Sequence, residues 1–130
     1  LGISSPIPVI KGFFDIVHIE NSSAAFGLSF FLSKMALKYT LIFVSTLFVL
    51  IIGYQLFMRK DVNRHYIAFS LIFAGAAGNL WQRIILGKVT DFLYFHFKNF
   101  YWPAFNIADS AITIGAIIFF AQIYLRKPKA

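Results

Sequence analysis

The chain contains no cysteine. That excludes disulfides, a thiolate nucleophile and thiolate metal sites, and it leaves the redox compartment unreadable. Charge is nearly as scarce: 13% of the 130 residues are charged, where a soluble domain carries roughly a quarter. Acids are the rarest charge, five Asp and Glu against twelve Lys and Arg. So little polarity cannot cover a chain that is 59% hydrophobic and holds 17 Phe, so the bilayer is its expected solvent. His18, His65 and His96 are scattered without an HExxH spacing, and no glycine loop shaped for phosphate occurs. No metal and no cofactor are therefore expected. There is no internal repeat and no low-complexity tract, and the length sets one domain over 1–130. The net charge of +7 would ordinarily raise nucleic acid as a partner. The bases lie at the flanks of apolar runs instead, so no nucleic-acid partner is expected.

What the sequence has is apolar length. Three runs stand out, at about 39–57, 66–86 and 106–125. At about 1.5 Å per residue, the first would span roughly 28 Å, close to the hydrocarbon thickness of a bilayer. Lipid admits only helices and closed barrels, and these runs are too long for barrel strands. Three transmembrane helices are predicted. Arg59, Lys60 and Arg64 lie in the short connection after the first, and Arg126, Lys127 and Lys129 follow the third. The density of positive charge places these segments in the cytoplasm, and the N-terminal region and residues 87–104 outside. No signal peptide with a basic leader opens the chain at Leu1. An outside N-terminus without one sets up the expectation of a further helix upstream.

Residues 6–33 are neither a spanning helix nor a polar loop. VIKGFFDIVHIE alternates loosely and is rich in strand-forming residues, which predicts short strands at the outer surface. Residues 92–102, FLYFHFKNFYW, read as an aromatic belt at headgroup level, compatible with a lid or a lipid-contacting wall.

Polar groups inside membrane helices are costly and ask for a reason. Gly75, Asn79 and Arg83 fall at i, i+4 and i+8 on one stripe of the second helix, beside the small pair Ala74 and Gly78. Packing accounts for the small residues, and snorkelling accounts for an arginine near a helix end. Asn79 with Arg83 reads further as a polar anchor that fixes another group. Asp91, in GKVTDF, is on its own an ordinary solvated loop acid. Asp109 is an acid favoured by a helix N-terminus, and Asn106 a candidate cap. Together they weigh differently. Both aspartates fall at the outer boundary, and the segment between them leaves the membrane and returns, so the two can meet. Two carboxylates in a poorly solvated site share a proton near neutral pH. That supplies a base to activate water and an acid for the scissile carbonyl or leaving amine, which is aspartic-protease chemistry. The alternative is a small transporter or a non-enzymatic scaffold that uses Asp109 and Asn106 to bind an ion or a partner helix. A transporter site belongs near the bilayer midplane, whereas Asp109 lies within a turn of the outer surface.

The string GAAGNLWQRIILGKVTDF, followed by FNIADSAI, resembles the bacterial lipoprotein signal peptidases (signal peptidase II). Upstream, PVIKGFFDIVHIENSSAAFG resembles the outer-surface segment of that family, and the likeness runs from about residue 6 to 120. It implies an all-α membrane protein of four helices, three of them present here, with a small extracytoplasmic β-cradle. It implies a monomeric aspartic endopeptidase of the bacterial plasma (inner) membrane, surrounded by membrane lipids, with its active site facing outside. Its partner would be a prolipoprotein signal peptide, cut just before a diacylglyceryl-modified cysteine. Asp91 and Asp109 match the catalytic pair of the family. Asn21, Asn79, Arg83, Asn106 and Ala108 match the polar and small residues that shape its site. The aromatic stretch 92–102 would lie over the groove for the signal helix and acyl chains. There are departures. The family's first helix, with its own Asp and Lys, has no counterpart here. Gln82 stands where the family usually has Asp before the Arg of GNxxDR, and Ser23 where N-x-G-A-A-F has Gly. Weaker support of the site, not loss of its chemistry, is expected from Gln82.

Overall fold

The structure, a computed structural model, describes residues 4–21 and 32–126. Ser23 and the AAF motif that follows it lie outside the described residues, as do Lys127 and Lys129. The elements in order are β1 (Ser4–Ile10), β2 (Phe14–Asn21), α1 (Lys34–Met58), a 3-10 helix (Lys60–His65), α2 (Tyr66–Leu86), β3 (Val89–Phe97), β4 (Phe100–Tyr101) and α3 (Ile107–Tyr124). The three α-helices are each long and apolar enough to cross a membrane. The chain forms two compact units, one from Leu1–Ile42 with Trp81–Asn106, the other from Phe43–Leu80 with Ile107–Ala130.

The first unit is organised by an antiparallel sheet in the order β1-β2-β3-β4. β1 and β2 form a hairpin whose turn needs a left-handed residue, supplied by Gly12 at φ 78°. The second hairpin turns at Lys98, a non-glycine residue at φ 54°. Between Ile16↔Leu93 and Ile19↔Asp91 the β2–β3 ladder carries an irregularity in which β2 holds one extra residue. Such a bulge re-aims the side chains beyond it. Aromatic rings cover the other end of the sheet: Phe14 stacks on Phe95 at 4.6 Å between centroids, and Phe95 on Phe105 at 5.9 Å. After β4 the chain returns to β3. Phe105 and Leu93 exchange backbone hydrogen bonds of 3.0 and 2.9 Å, which fixes the position of Asn106.

Two expectations change here. The strands expected only within 6–33 are half of the sheet; β3 and β4 make the other half, from the run read as an aromatic belt. A run in which nearly every side chain is aromatic or apolar hides the alternation by which a strand is recognised. The first helix also begins earlier than 39. Ser33 caps it, its Oγ accepting from the Ala36 N–H at 3.2 Å and its carbonyl from the Leu37 N–H at 2.9 Å. Lys34 and Lys38 make this first turn look like a flank in the sequence.

The second unit is helical. α2 and α3 pack tightly at two glycines. A Cβ on Gly75 would strike the carbonyl oxygen of Ala108 and the side chain of Ile112. A Cβ on Gly115 would come within 2.7 Å of the Ala68 carbonyl oxygen. Ala68, Ile72 and Ala76 are buried along α2. The Ala74 and Gly78 pair expected to form the seam is exposed instead. The seam runs through Gly75, one residue round the helix. At the other end of α2, Arg64 donates to the Gln122 carbonyl at 3.1 Å, and His65 Nδ1 lies 2.7 Å from Gln122 Oε1.

Candidate active site

Asp91 is the third residue of β3 and only 3% exposed. The register sets Asp91 opposite Ile19 and Val89 opposite Asn21, so Asn21 and Asp91 are diagonal neighbours on one face. Asn21 Nδ2 donates to Asp91 Oδ2 at 3.0 Å. The other carboxylate oxygen, Oδ1, accepts from Asn106 Nδ2 at 3.2 Å. The Asn106 amide also reaches the Thr90 carbonyl at 3.4 Å, and Asn106 is 5% exposed. The Phe105–Leu93 bridge delivers that amide to the strand. Both oxygens of one carboxylate thus accept from carboxamides, which orient it.

The approach to β3 is also pinned. Gly87, at φ 72°, ends α2 with its N–H donated to the Arg83 carbonyl at 2.9 Å. The Thr90 N–H then donates to Gln82 Oε1 at 3.1 Å. Gln82 therefore ties the last turn of α2 to the residue before Asp91. Lys88 pairs with Glu20 at 2.5 Å beside it. The Lys88 hydrogen bond holds the Glu20 carboxyl below its ordinary value of 4.5.

In the second unit, Asp109 stands in the first turn of α3. Asn79, buried on α2, donates Nδ2 to Asp109 Oδ1 at 2.9 Å. Asn79, read with Arg83 as a polar anchor, thus holds Asp109. Ala108 lies where its carbonyl meets Gly75 and its methyl would sit 3.8 Å from a Cβ on Gly78. A larger side chain at 108 would press on the helix that carries Asn79.

The structure thus brings Asn21, Asp91 and Asn106 together in one unit, and Asn79, Ala108 and Asp109 together in the other. Arg83 is half-buried and lines a cavity with Asn21. Among the described residues, no group of three or more His, Asp or Glu is placed to hold a metal.

Sequence reasoning missed two arrangements. One is the backbone bond accepted by Gln82, which looks in the sequence like a lost charge. The other is His96, which looked isolated but pairs through Nε2 with Asp15 Oδ2 at 3.0 Å, both side chains largely buried. Tyr94 and Tyr101 stack on the His96 ring at 5.2 and 6.3 Å. The signal was available once β3 is a strand: Asp15 faces Tyr94, so it is diagonal to His96.

A buried carboxylate on a strand, a second in the first turn of an apolar helix and three helices long and apolar enough to cross a membrane are consistent with a membrane enzyme fold. Solved structures agree. One bacterial membrane enzyme, determined in meso at 1.9 Å, superposes with a TM-score of 0.81 at 31% identity, covering 98% of this chain and 79% of that one. A second, at 2.3 Å, gives 0.70 at 30% identity over 100% of this chain and 79% of that one. The family model described as signal peptidase (SPase) II matches residues 2–125. The lipoprotein signal peptidase of Desulforapulum autotrophicum is 44% identical over 129 residues, which is 98% of this chain and 79% of that protein. That of Thermodesulfovibrio yellowstonii is 38% identical over 117 residues, 88% of this chain and 75% of that protein. The chain belongs to the signal peptidase II family.

Proposed function

We propose that the chain is an aspartic endopeptidase that removes signal peptides from diacylglyceryl-modified prolipoproteins, with Asp91 and Asp109 as its catalytic pair. The observation that carries this is the shared chemistry of the two aspartates. Each is held by carboxamide donors from elsewhere in the chain: Asp91 by Asn21 and Asn106, Asp109 by Asn79. Asn106 is the residue immediately before α3, so the donor to one aspartate lies three positions from the other.

The reading requires the two carboxylates to act on one peptide bond. The ionised one takes a proton from water as the oxygen attacks the scissile carbonyl carbon. The protonated one gives its proton to the carbonyl oxygen. In the collapse, the carboxylate that gave its proton takes one back from a hydroxyl of the tetrahedral intermediate, the carbonyl re-forms as the C–N bond breaks, and the carboxyl that took the water proton gives it to the leaving amine. Neutral amide donors suit this cycle. They orient each carboxylate without bringing a charge of their own.

The outer face of the bacterial plasma membrane is supported by the distribution of positive charge, dense in Arg59, Lys60 and Arg64 and again after α3. The family is one of peptidases, which leaves the transporter or scaffold reading without support. The experiment is cleavage of a purified diacylglyceryl prolipoprotein by the inserted chain. Asp91→Asn and Asp109→Asn should each abolish product while the protein still inserts. Near-full turnover by either variant would refute the pair.

A further inference from the structure

The sheet of the first unit ends in two hairpin turns that lie side by side. Antiparallel pairing of Phe14 with Phe95 puts the β1–β2 turn next to the β3–β4 turn. The Phe13 carbonyl accepts from the His96 N–H at 2.9 Å. The rings of Phe13 and Phe95 meet edge to face at 5.5 Å. The two turns have the same composition. One reads IKGF over residues 10–13, the other FKNF over 97–100: apolar, lysine, turn residue, phenylalanine. Neither contains an acid, and Tyr101 and Trp102 follow the second.

Exposure at these turns is not confined to one face. Successive residues of a strand point to opposite faces, yet Phe100, Tyr101 and Trp102 are 63%, 61% and 55% exposed. Val9 and Ile10, also consecutive, are each 53% exposed, and Phe13 and Phe97 are exposed beside them. A groove for a peptide or a partner protein needs one apolar face. Apolar side chains on both faces call for an apolar medium around the whole tip. Lys98 holds the left-handed position of its turn, φ 54°, which glycine or asparagine ordinarily takes. Its Nζ lies 5.3 Å from the centre of the Phe97 ring. A long apolar stem with a charged end suits a boundary between lipid and water. That boundary is near in the chain. Only Gly87 and Lys88 separate β3 from α2, a helix apolar enough to cross a membrane.

We propose that the paired tips, residues 10–13 and 97–102, are immersed in the headgroup and upper acyl region of the bilayer that the helices cross. The phenyl and indole rings enter the interface, where Trp and Tyr concentrate, and Lys11 and Lys98 extend their ammonium groups back to the headgroups. β3 is then held at both ends, by α2 before Val89 and by lipid around Phe97. The lipid contact expected of 92–102 is confined to the end of that stretch and extends to residues 10–13. The inference goes beyond the peptidase reading, since it needs no prolipoprotein.

The chain has two tryptophans, Trp81 and Trp102, so Trp81→Phe leaves one reporter in the second tip. The full chain is placed, without substrate, in nanodiscs of phosphatidylethanolamine and phosphatidylglycerol, which leave both membrane faces open to water. Its fluorescence is quenched by acrylamide from the water and by lipid brominated near the top of an acyl chain. The test therefore stands or falls separately from the peptidase assay. Trp102 should emit to the blue of free N-acetyltryptophanamide, lose most of its acrylamide quenching and be quenched by the brominated lipid. Phe13→Trp, combined with Trp81→Phe and Trp102→Phe, moves the reporter to the first tip and should give the same three readings. Should Trp81→Phe not fold, the unsubstituted chain read against Trp102→Phe gives the Trp102 signal by difference. Full acrylamide quenching of Trp102 with no effect of brominated lipid overturns the immersion. Protection from both quenchers overturns it in favour of a protein contact. A lipid signal from Trp102 without one in the Phe13→Trp chain overturns the pairing of the tips.

Discussion

Asp91 rests on a strand and Asp109 on a helix, and the two are held by different physics. The strand aspartate depends on register. Its donors come from 70 and 15 residues away, and both arrive through backbone pairing, Asn21 by the β2–β3 ladder and Asn106 by the Phe105–Leu93 bridge. The helix aspartate depends on packing. Its donor, Asn79, reaches it because Gly75 and Gly115 let α2 and α3 touch backbone to side chain. A sheet fixes side chains by hydrogen-bond directionality, so it tolerates a modest change in side-chain volume. A helix seam in lipid has little hydrophobic drive and relies on close contact. One carboxylate should therefore be sensitive to lost polar partners and the other to added volume.

The largest effect should come from the carboxylates. Loss of an acid–base group removes about 10² to 10⁴ in rate, and a unit acting together is lost whole when either member goes. Asp91→Asn and Asp109→Asn should thus be equally inactive despite their different surroundings. A large residual difference between them in kcat would show that one is only a structural acid.

The next effect tests the packing side. Gly75→Val places a Cβ against the Ala108 carbonyl, a backbone atom that cannot swing away. Overpacking of this kind costs about 1–3 kcal/mol or more. Tm in detergent should fall and activity with it, because Asn79 and Asp109 are separated by the same displacement. Gly78→Ala, where a Cβ meets only an ordinary contact at 3.8 Å, should change Tm little. Equal losses at the two positions would contradict a seam through Gly75.

The polar side is tested by amide removal. Asn106→Ala leaves one oxygen of a nearly buried carboxylate without its carboxamide, at a cost of about 1.5–3 kcal/mol for a hydrogen bond to a charged group. The loss should appear in kcat with KM little altered, since the residue orients Asp91. Gln82→Ala should cost less, about 0.5–1.5 kcal/mol for a neutral bond, read as a lower Tm from the freed Thr90 N–H. Gln82→Asp keeps an acceptor and adds a charge beside Arg83, so it should hold Tm or raise turnover. Unchanged Tm in Gln82→Ala would remove the strand-pinning role.

How much of this was legible in the sequence follows the same division. α2 was readable at Tyr66–Leu86 and α3 within two residues, because apolar length is a local property. β3 was not, because FLYFHF has no polar face to mark its alternation. Asp91, Asp109, Asn79 and Asn106 were nameable as polar groups at or in apolar helices, and the family resemblance added Asn21. Which amide holds which aspartate was not readable, since each pairing depends on a register or crossing set by distant segments. The Asp15–His96 pair failed for the same reason: 81 residues separate its members. Gln82 was visible only as a departure, because a side chain that accepts from a backbone N–H leaves no trace in spacing.

The smallest effect lies at the edge of the strand site and sharpens what register alone can do. Glu20 and Lys88 lie one position before Asn21 and Val89, a pair in the β2–β3 ladder. Their ion pair is exposed, so salt should screen it and it should add little to stability. Its pH dependence has a fixed sign. The Lys88 hydrogen bond depresses the folded-state pKa of Glu20 below 4.5. The contribution is therefore present above the unfolded pKa and is lost as pH falls through the folded one. Tm of the parent chain should drop slightly faster than that of Glu20→Gln as pH is lowered from about 5 towards the folded pKa, a range set by the ordinary carboxylate pKa. The difference should shrink in high salt. If Glu20→Gln instead matches the parent across the range, the backbone ladder fixes Asn21 against Val89 without help from the charges beside it.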